Sequence, residues 1–175
     1  VALAGPRLAE THVETETAGL DIMLALDLSW SMMALDMGRP DERISRFSIA
    51  SKVLGDFIRK RPDDRIGLVV FSAVPYLASP LTLNHEWLIA NLERLHVGMI
   101  QELGTAIGDA IAISAKRLKA IPESRSRIII LLTDGDNNKG EIDPLPAAQL
   151  AASLGALVVA YFAPIWWVSL TAPNY

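Results

Sequence analysis

Four strand-length runs of nearly unbroken apolar character constrain this chain most: Leu20–Leu26 (LDIMLAL), Arg65–Phe71 (RIGLVVF), Arg127–Leu132 (RIIILL) and Ala156–Phe162 (ALVVAYF). A strand that alternates apolar and polar residues can leave one face in water, whereas a continuous apolar run has to be covered on both. The segments between these runs carry a helical period. From Arg43 to Arg61 the residues Ile44, Phe47, Ala50, Val53, Leu54, Phe57 and Ile58 recur at three- and four-residue steps until Pro62 ends the pattern. Further helices are expected from about Glu86 to Leu95, over Gly104–Ile121, and around Pro146–Leu154. In the second of these, Ile107, Ile111, Leu118 and Ile121 share a face, and Thr105 and Asp109 lie near the start, where a polar cap belongs. Tyr76–Leu81, interrupted by Pro80, reads as a short edge strand. Strands alternating with amphipathic helices predict an α/β fold: a Rossmann-like, doubly wound, mostly parallel central sheet flanked by helices.

Composition removes several classes of function. A chain of 175 residues, 51% hydrophobic, is long enough to bury a sizeable core without staples. It has no Cys, which excludes a disulfide scaffold, a thiolate zinc site, an iron–sulfur cluster and a Cys nucleophile. A net charge of −4 and the lack of any dense Lys/Arg run argue against nucleic-acid binding. The opening Val1-Ala2-Leu3-Ala4 is too short for a signal peptide or a membrane span, and the chain reads as a piece of something longer. Residues 1–19 read as a polar lead-in arm and 20–175 as a single domain. Gly155–Ala172 is uncharged over 18 residues, the length of a short membrane helix, but Pro164 interrupts it and Ala156–Phe162 suits a buried strand better.

In an open α/β sheet, ligands bind beyond the carboxyl ends of the strands, so the polar residues that close each apolar run carry the functional question. The first run ends in Asp27-Leu28-Ser29-Trp30-Ser31, with oxygen side chains at alternate positions. The third ends in Thr133-Asp134-Gly135, and a further hydroxyl, Thr105, follows Gly104 at the start of a helix. Two carboxylates and three hydroxyls form an oxygen-only donor set of the kind that suits a hard divalent cation. With at most two negative charges around it, a bound dication would retain the power to attract a carboxylate from elsewhere.

Asp27-x-Ser29-x-Ser31, then Thr105, then Asp134 resembles the five-residue metal-ion-dependent adhesion site (MIDAS) of von Willebrand factor type A (VWA) domains. The stretches DIMLALDLSWSM, RPDDRIGLVVFS, GTAIGDAIAISAKRLK and IIILLTDGDNNKGEIDP are similar to the bacterial Bat (aerotolerance-type) branch of that family, and the likeness runs from about Leu20 to Phe162. The resemblance implies Ser29, Ser31 and Thr105 as direct ligands of Mg²⁺, with Mn²⁺ or Ca²⁺ as substitutes, and Asp27 and Asp134 as anchors acting directly or through water. It implies a non-enzymatic module that recruits a Glu or Asp of a partner protein. It also implies a parent protein anchored in a bacterial inner membrane, with this domain outside the bilayer, working with a MoxR-type AAA+ ATPase and sibling VWA proteins. The sequence departs from the pattern in two places. Trp30 stands where these relatives carry Gly, which places an indole at the rim of the site. Beyond Phe162 the likeness ends, so the last strand and helix of the fold are expected to be incomplete, with Ile165–Leu170 either a substitute edge strand or a terminus that packs only because it is apolar.

Plainer readings compete with each of these. Asp27 suits a local cap and Asp134-Gly135 a turn; Asp136, Asn137 and Asn138 read as a solvated turn. Asp109 and Glu102 are expected to bond locally or face solvent, His12, His85 and His96 to lie on the surface, and Met32 and Met33 to pack beneath the loop. A metal-free VWA domain that only packs against a sibling is one alternative function. A Mg²⁺-dependent hydrolase or phosphotransferase is another, although the chain lacks a P-loop and a G-x-S-x-G elbow, and Ser29 stands where a dehalogenase-type enzyme needs its second Asp.

Overall fold

The computed structural model describes residues 19–37, 43–121 and 126–162. Its centre is a five-stranded sheet made of β1 (Asp21–Asp27), β2 (Arg65–Phe71), β3 (Pro75–Thr82), β4 (Arg127–Thr133) and β5 (Ala156–Phe162), in the order β3-β2-β1-β4-β5. β2, β1, β4 and β5 run parallel, and β3 is antiparallel at the edge, where Pro80 removes no hydrogen bond that a central strand needs. The helices are α1 (Arg46–Arg59), α2 (His85–Glu93), α3 (Ile107–Lys119) and α4 (Pro144–Ser153).

Every residue of β1 is buried, as its continuous apolarity requires. Its side chains alternate between two cores: Ile22, Leu24 and Leu26 pack with Ala50, Leu54 and Ile58 of α1 and Leu88 and Leu92 of α2. Met23 and Ala25 pack on the other face with Ile107, Ile111 and Leu118 of α3 and Ala147 and Ala151 of α4. This is the doubly wound α/β arrangement expected from the sequence. Small residues on α3 and α4 allow close approach: a Cβ on Gly108 would fall 1.8 Å from the Ile142 carbonyl oxygen.

The differences from expectation lie mainly at helix boundaries. α1 begins three residues later than Arg43 because Ser45 caps it, its side chain accepting from the Ser48 N–H. Val53 is half exposed, since the stripe that α1 buries runs through Ala50, Leu54 and Ile58. α3 begins at Ile107, so Thr105 lies ahead of the helix and does not cap it. The lead-in arm up to residue 18 and the proposed edge strand Ile165–Leu170 lie outside the described residues. Among the described residues, no helix is long and apolar enough to cross a membrane.

Candidate metal centre

The sheet order puts β1 and β4 side by side with their chain connections leaving in opposite directions, which opens a crevice at their carboxyl ends. β1 delivers Asp27 to this point fully buried, with 0% exposure. One carboxylate oxygen of Asp27 accepts from the Ser29 N–H at 2.7 Å, which turns the chain sharply after the strand. The other accepts from the Thr133 hydroxyl at 2.6 Å, across from β4. A single 3₁₀ turn, Trp30–Met33, then brings Ser31 back beside Ser29, with their hydroxyls 2.9 Å apart. The Ser31 hydroxyl donates to Asp134 Oδ1 at 2.7 Å, so the ends of β1 and β4 are linked by a continuous run of oxygen atoms.

Thr105 arrives from a third direction. The loop carrying it hangs from the end of β2: the Ala106 N–H donates to the Ser72 carbonyl at 2.7 Å, and the Ser72 hydroxyl donates to the carbonyls of Glu102 and Gly104. On its far side the loop is stitched to the segment after β4. The Asn138 side chain accepts from the Thr105 N–H at 2.9 Å, and the Thr105 carbonyl accepts from the N–H groups of Asn138 and Lys139. Gly104, at φ 129°, makes this approach feasible, because a Cβ there would lie 2.2 Å from Lys139 Cγ. The three strand ends converge at Gly135, where an added Cβ would meet only the Thr105 hydroxyl at 3.6 Å and the Ser31 hydroxyl at 4.0 Å. The structure thus brings all five sequence-predicted residues, Asp27, Ser29, Ser31, Thr105 and Asp134, to one place.

Burial pushes the Asp27 carboxyl above the usual carboxylate range. Hydrogen bonds from Ser29 and Thr133 pull it down without cancelling that effect, and the nearby Asp134 adds to the rise. Asp134 is held differently: its second oxygen accepts from Arg46 Nη1 at 2.7 Å, and its side chain has 0% exposure. Arg46 also donates from Nε to Asp36, at 2.9 and 3.1 Å, with a further close contact between Nη2 and Asp36. This guanidinium holds the Asp36 carboxyl below its ordinary range and is itself made harder to deprotonate by its two partners, Asp36 foremost.

The donor chemistry fits a hard divalent cation, with carboxylate and hydroxyl oxygens only and a space at Gly135 that no side chain fills. Among the described residues no cluster of three or more His, Cys, Asp and Glu occurs, so a metal reading depends on the neutral hydroxyls. Trp30 is 57% exposed at the rim, its ring against Gly98, and Met33, Leu35, Met99 and Leu103 are also exposed on the same loops.

Three features went unread in the sequence. Asp136 and Asn138 are exposed, as a solvated turn requires, but the two asparagines also work structurally: the Asn137 side chain accepts from the Ile107 and Gly108 N–H groups and so caps α3, and Asn138 holds Thr105. Arg46, which the sequence offers only as one residue of a helix, bonds both Asp36 and Asp134. Met33 is exposed, while Met32 is buried as expected. Asp109 bonds the Glu141 and Ile142 N–H groups, His96 is exposed, and His85 bonds the Asp64 carbonyl ahead of β2, at the opposite end of the sheet from the site.

Comparison with known proteins adds three findings. The family model described as von Willebrand factor type A domain matches residues 22–137. An uncharacterized protein of Borreliella burgdorferi is 32% identical over 157 residues, which is 90% of this chain and 44% of that protein, so the chain spans less than half of that relative's length. Among solved structures, an aerotolerance-related membrane protein from Bacteroides fragilis superimposes with a TM-score of 0.72 at 31% identity, covering 81% of this chain and 66% of the other. The mussel byssus protein PTMP1, described with a zinc-occupied MIDAS motif, shares the fold at a TM-score of 0.66 and 20% identity, covering 82% and 37%.

Proposed function

This chain belongs to the von Willebrand factor type A family, and we propose that it is a divalent-metal-dependent protein interaction module of the Bat type. In this reading Asp27, Ser29, Ser31, Thr105 and Asp134 hold one Mg²⁺, or Mn²⁺ or Ca²⁺ in its place, and a Glu or Asp of another protein completes the site. The observation that supports it best is the hydrogen-bonded run of oxygens from Ser29 through Ser31 to Asp134, with the Thr105 and Ser31 hydroxyls both facing the space beside Gly135. When bound, the metal supplies an electrophilic centre for a carboxylate. The chain supplies the rest: Asp27 fixes the turn that carries Ser29, Ser72 and Asn138 fix Thr105, and Asp134 orients the Ser31 hydroxyl. The exposed indole of Trp30, with Met99 and Leu103 on the neighbouring loop, gives an apolar rim to receive side chains that flank the partner's acid. The zinc in the PTMP1 site makes Zn²⁺ a further ion to include in any test of metal preference.

The parent protein, in this reading, is anchored in a bacterial inner membrane; the Bacteroides relative is described as a membrane protein. A MoxR-type ATPase and sibling VWA proteins are its proposed associates. Domains of this family act in general as interaction modules. Neither described histidine stands beside the serines to serve as a base, since His85 is engaged with Asp64 and His96 with the Val97 carbonyl.

The proposal is tested by following backbone amides of isotope-labelled protein by NMR. Mg²⁺ is expected to shift residues 28–31, 104–106 and 133–135, and Glu-containing peptides are then expected to shift the same region only while Mg²⁺ is present. Peptide binding that survives a chelator would contradict it.

A further inference from the structure

Arg46 occupies the first position of α1, where a cation opposes the helix dipole, and no acidic residue in that first turn offsets it. Its partners come from elsewhere: Asp36, ten residues earlier, and Asp134, eighty-eight residues later. The two oxygens of Asp134 are therefore divided. Oδ1 takes the Ser31 hydroxyl of the candidate metal site and Oδ2 takes the guanidinium, in a side chain wholly removed from solvent. Asp27, by contrast, has only neutral donors.

We propose that Arg46 is an internal cation that competes with the divalent ion for Asp134 and so sets the metal concentration at which the site fills. The inference rests on the metal-binding reading above. Asp27 and Asp134 offer the ion two negative charges, and Arg46 opposes the one on Asp134 directly, while Asp36 lies on the guanidinium rather than on Asp134. Asp36 makes the competition reversible, because it grips Nε and Nη2 and gives the guanidinium a partner when Asp134 turns to a metal. Only arginine suits this part, since its planar fork can serve two carboxylates at once.

The signs of two substitutions separate competition from a merely structural role. Arg46→Gln removes the competitor, and a unit charge about 6 Å from a dication is worth roughly tenfold in affinity even in bulk water. Arg46→Gln is therefore expected to bind Mg²⁺ at least about tenfold more tightly by calorimetry. It should melt lower than wild type in chelator, with Asp134 left unpaired, and gain more from added Mg²⁺. Asp36→Asn confines Arg46 to Asp134 and is expected to weaken Mg²⁺ binding several-fold. If the ion pair only braces the site, both substitutions weaken binding, and that result overturns the proposal. If Arg46→Gln does not fold, Asp36→Asn is read together with its melting temperature in chelator: unchanged or tighter Mg²⁺ binding rejects the competition, as does weaker binding with a lower melting temperature, whereas weaker binding at an unchanged melting temperature supports it. Mg²⁺ binding by wild type with no gain in Arg46→Gln rejects the proposal and leaves the metal site standing. Absence of binding in wild type and both variants removes the metal site, and the proposal with it.

Discussion

The two ends of β1 each bury an aspartate, and the two are treated in opposite ways. At the start, Asp21 is 2% exposed and accepts two bonds from Arg65, at 2.6 and 2.9 Å, so the protein neutralises the charge itself. At the end, Asp27 is 0% exposed and receives only a backbone N–H and a hydroxyl, which leave its carboxyl pushed above the usual range. One strand thus carries a closed charge and an open one. The closed end clamps β1 to β2; the open end lies in the crevice where the sheet order reverses, the place proposed above for the metal.

If the amino end is a clamp, Asp21→Ala should have the largest effect on folding. Removing the buried carboxylate that Arg65 grips is expected to lower stability by about 2 kcal/mol in urea unfolding, while metal binding by the folded fraction stays as it was. Thr105→Ala should do the reverse. Its backbone holds the loop, so stability should change little, and metal affinity should fall about tenfold, as expected for one lost oxygen ligand. A large loss of stability there would move Thr105 to the structural side of the comparison.

Asp27→Asn addresses the open charge directly. Because the folded-state carboxyl lies above the ordinary value of 3.8, the folded protein holds a proton that the unfolded chain has released. Stability of the metal-free protein should therefore fall as pH rises from near 3.8 through the raised value, a fall that the Asn variant lacks. At neutral pH the variant is expected to be more stable than wild type in chelator, measured by urea unfolding at several pH values. A less stable variant with an unchanged pH profile would mean that Asp27 is a structural residue like Asp21. The smallest effect belongs to Trp30→Ala: stability and metal affinity should stay within about 0.5 kcal/mol, with any loss confined to binding of Glu-containing peptides.

The sequence disclosed the two cores and the site unequally. Continuous apolarity in Leu20–Leu26 and Arg65–Phe71 signals burial on both faces, because that requirement is local to each strand. Asp27, Ser29, Ser31 and Asp134 stand out in the sequence as polar residues closing strongly apolar runs, and Thr105 as a hydroxyl ahead of a periodic helix; that they form one site is implied by the resemblance to VWA domains. Arg46 carried no such signal. Its meaning comes from Asp36 and Asp134, and a basic residue on an amphipathic helix looks like solvated surface until the fold places those partners beside it. The same holds for Asn137 and Asn138: side chains that cap α3 and hold Thr105 about thirty residues upstream have the composition of an ordinary turn.

The most direct measurement is calorimetric titration of Mg²⁺ and Mn²⁺ into chelator-treated protein, with Asp27→Ala beside it. Binding at a single site, lost in the variant, is the predicted result. No heat and no thermal stabilisation at millimolar metal, or equal binding by Asp27→Ala, would contradict the assignment of the open end of β1 as a metal site.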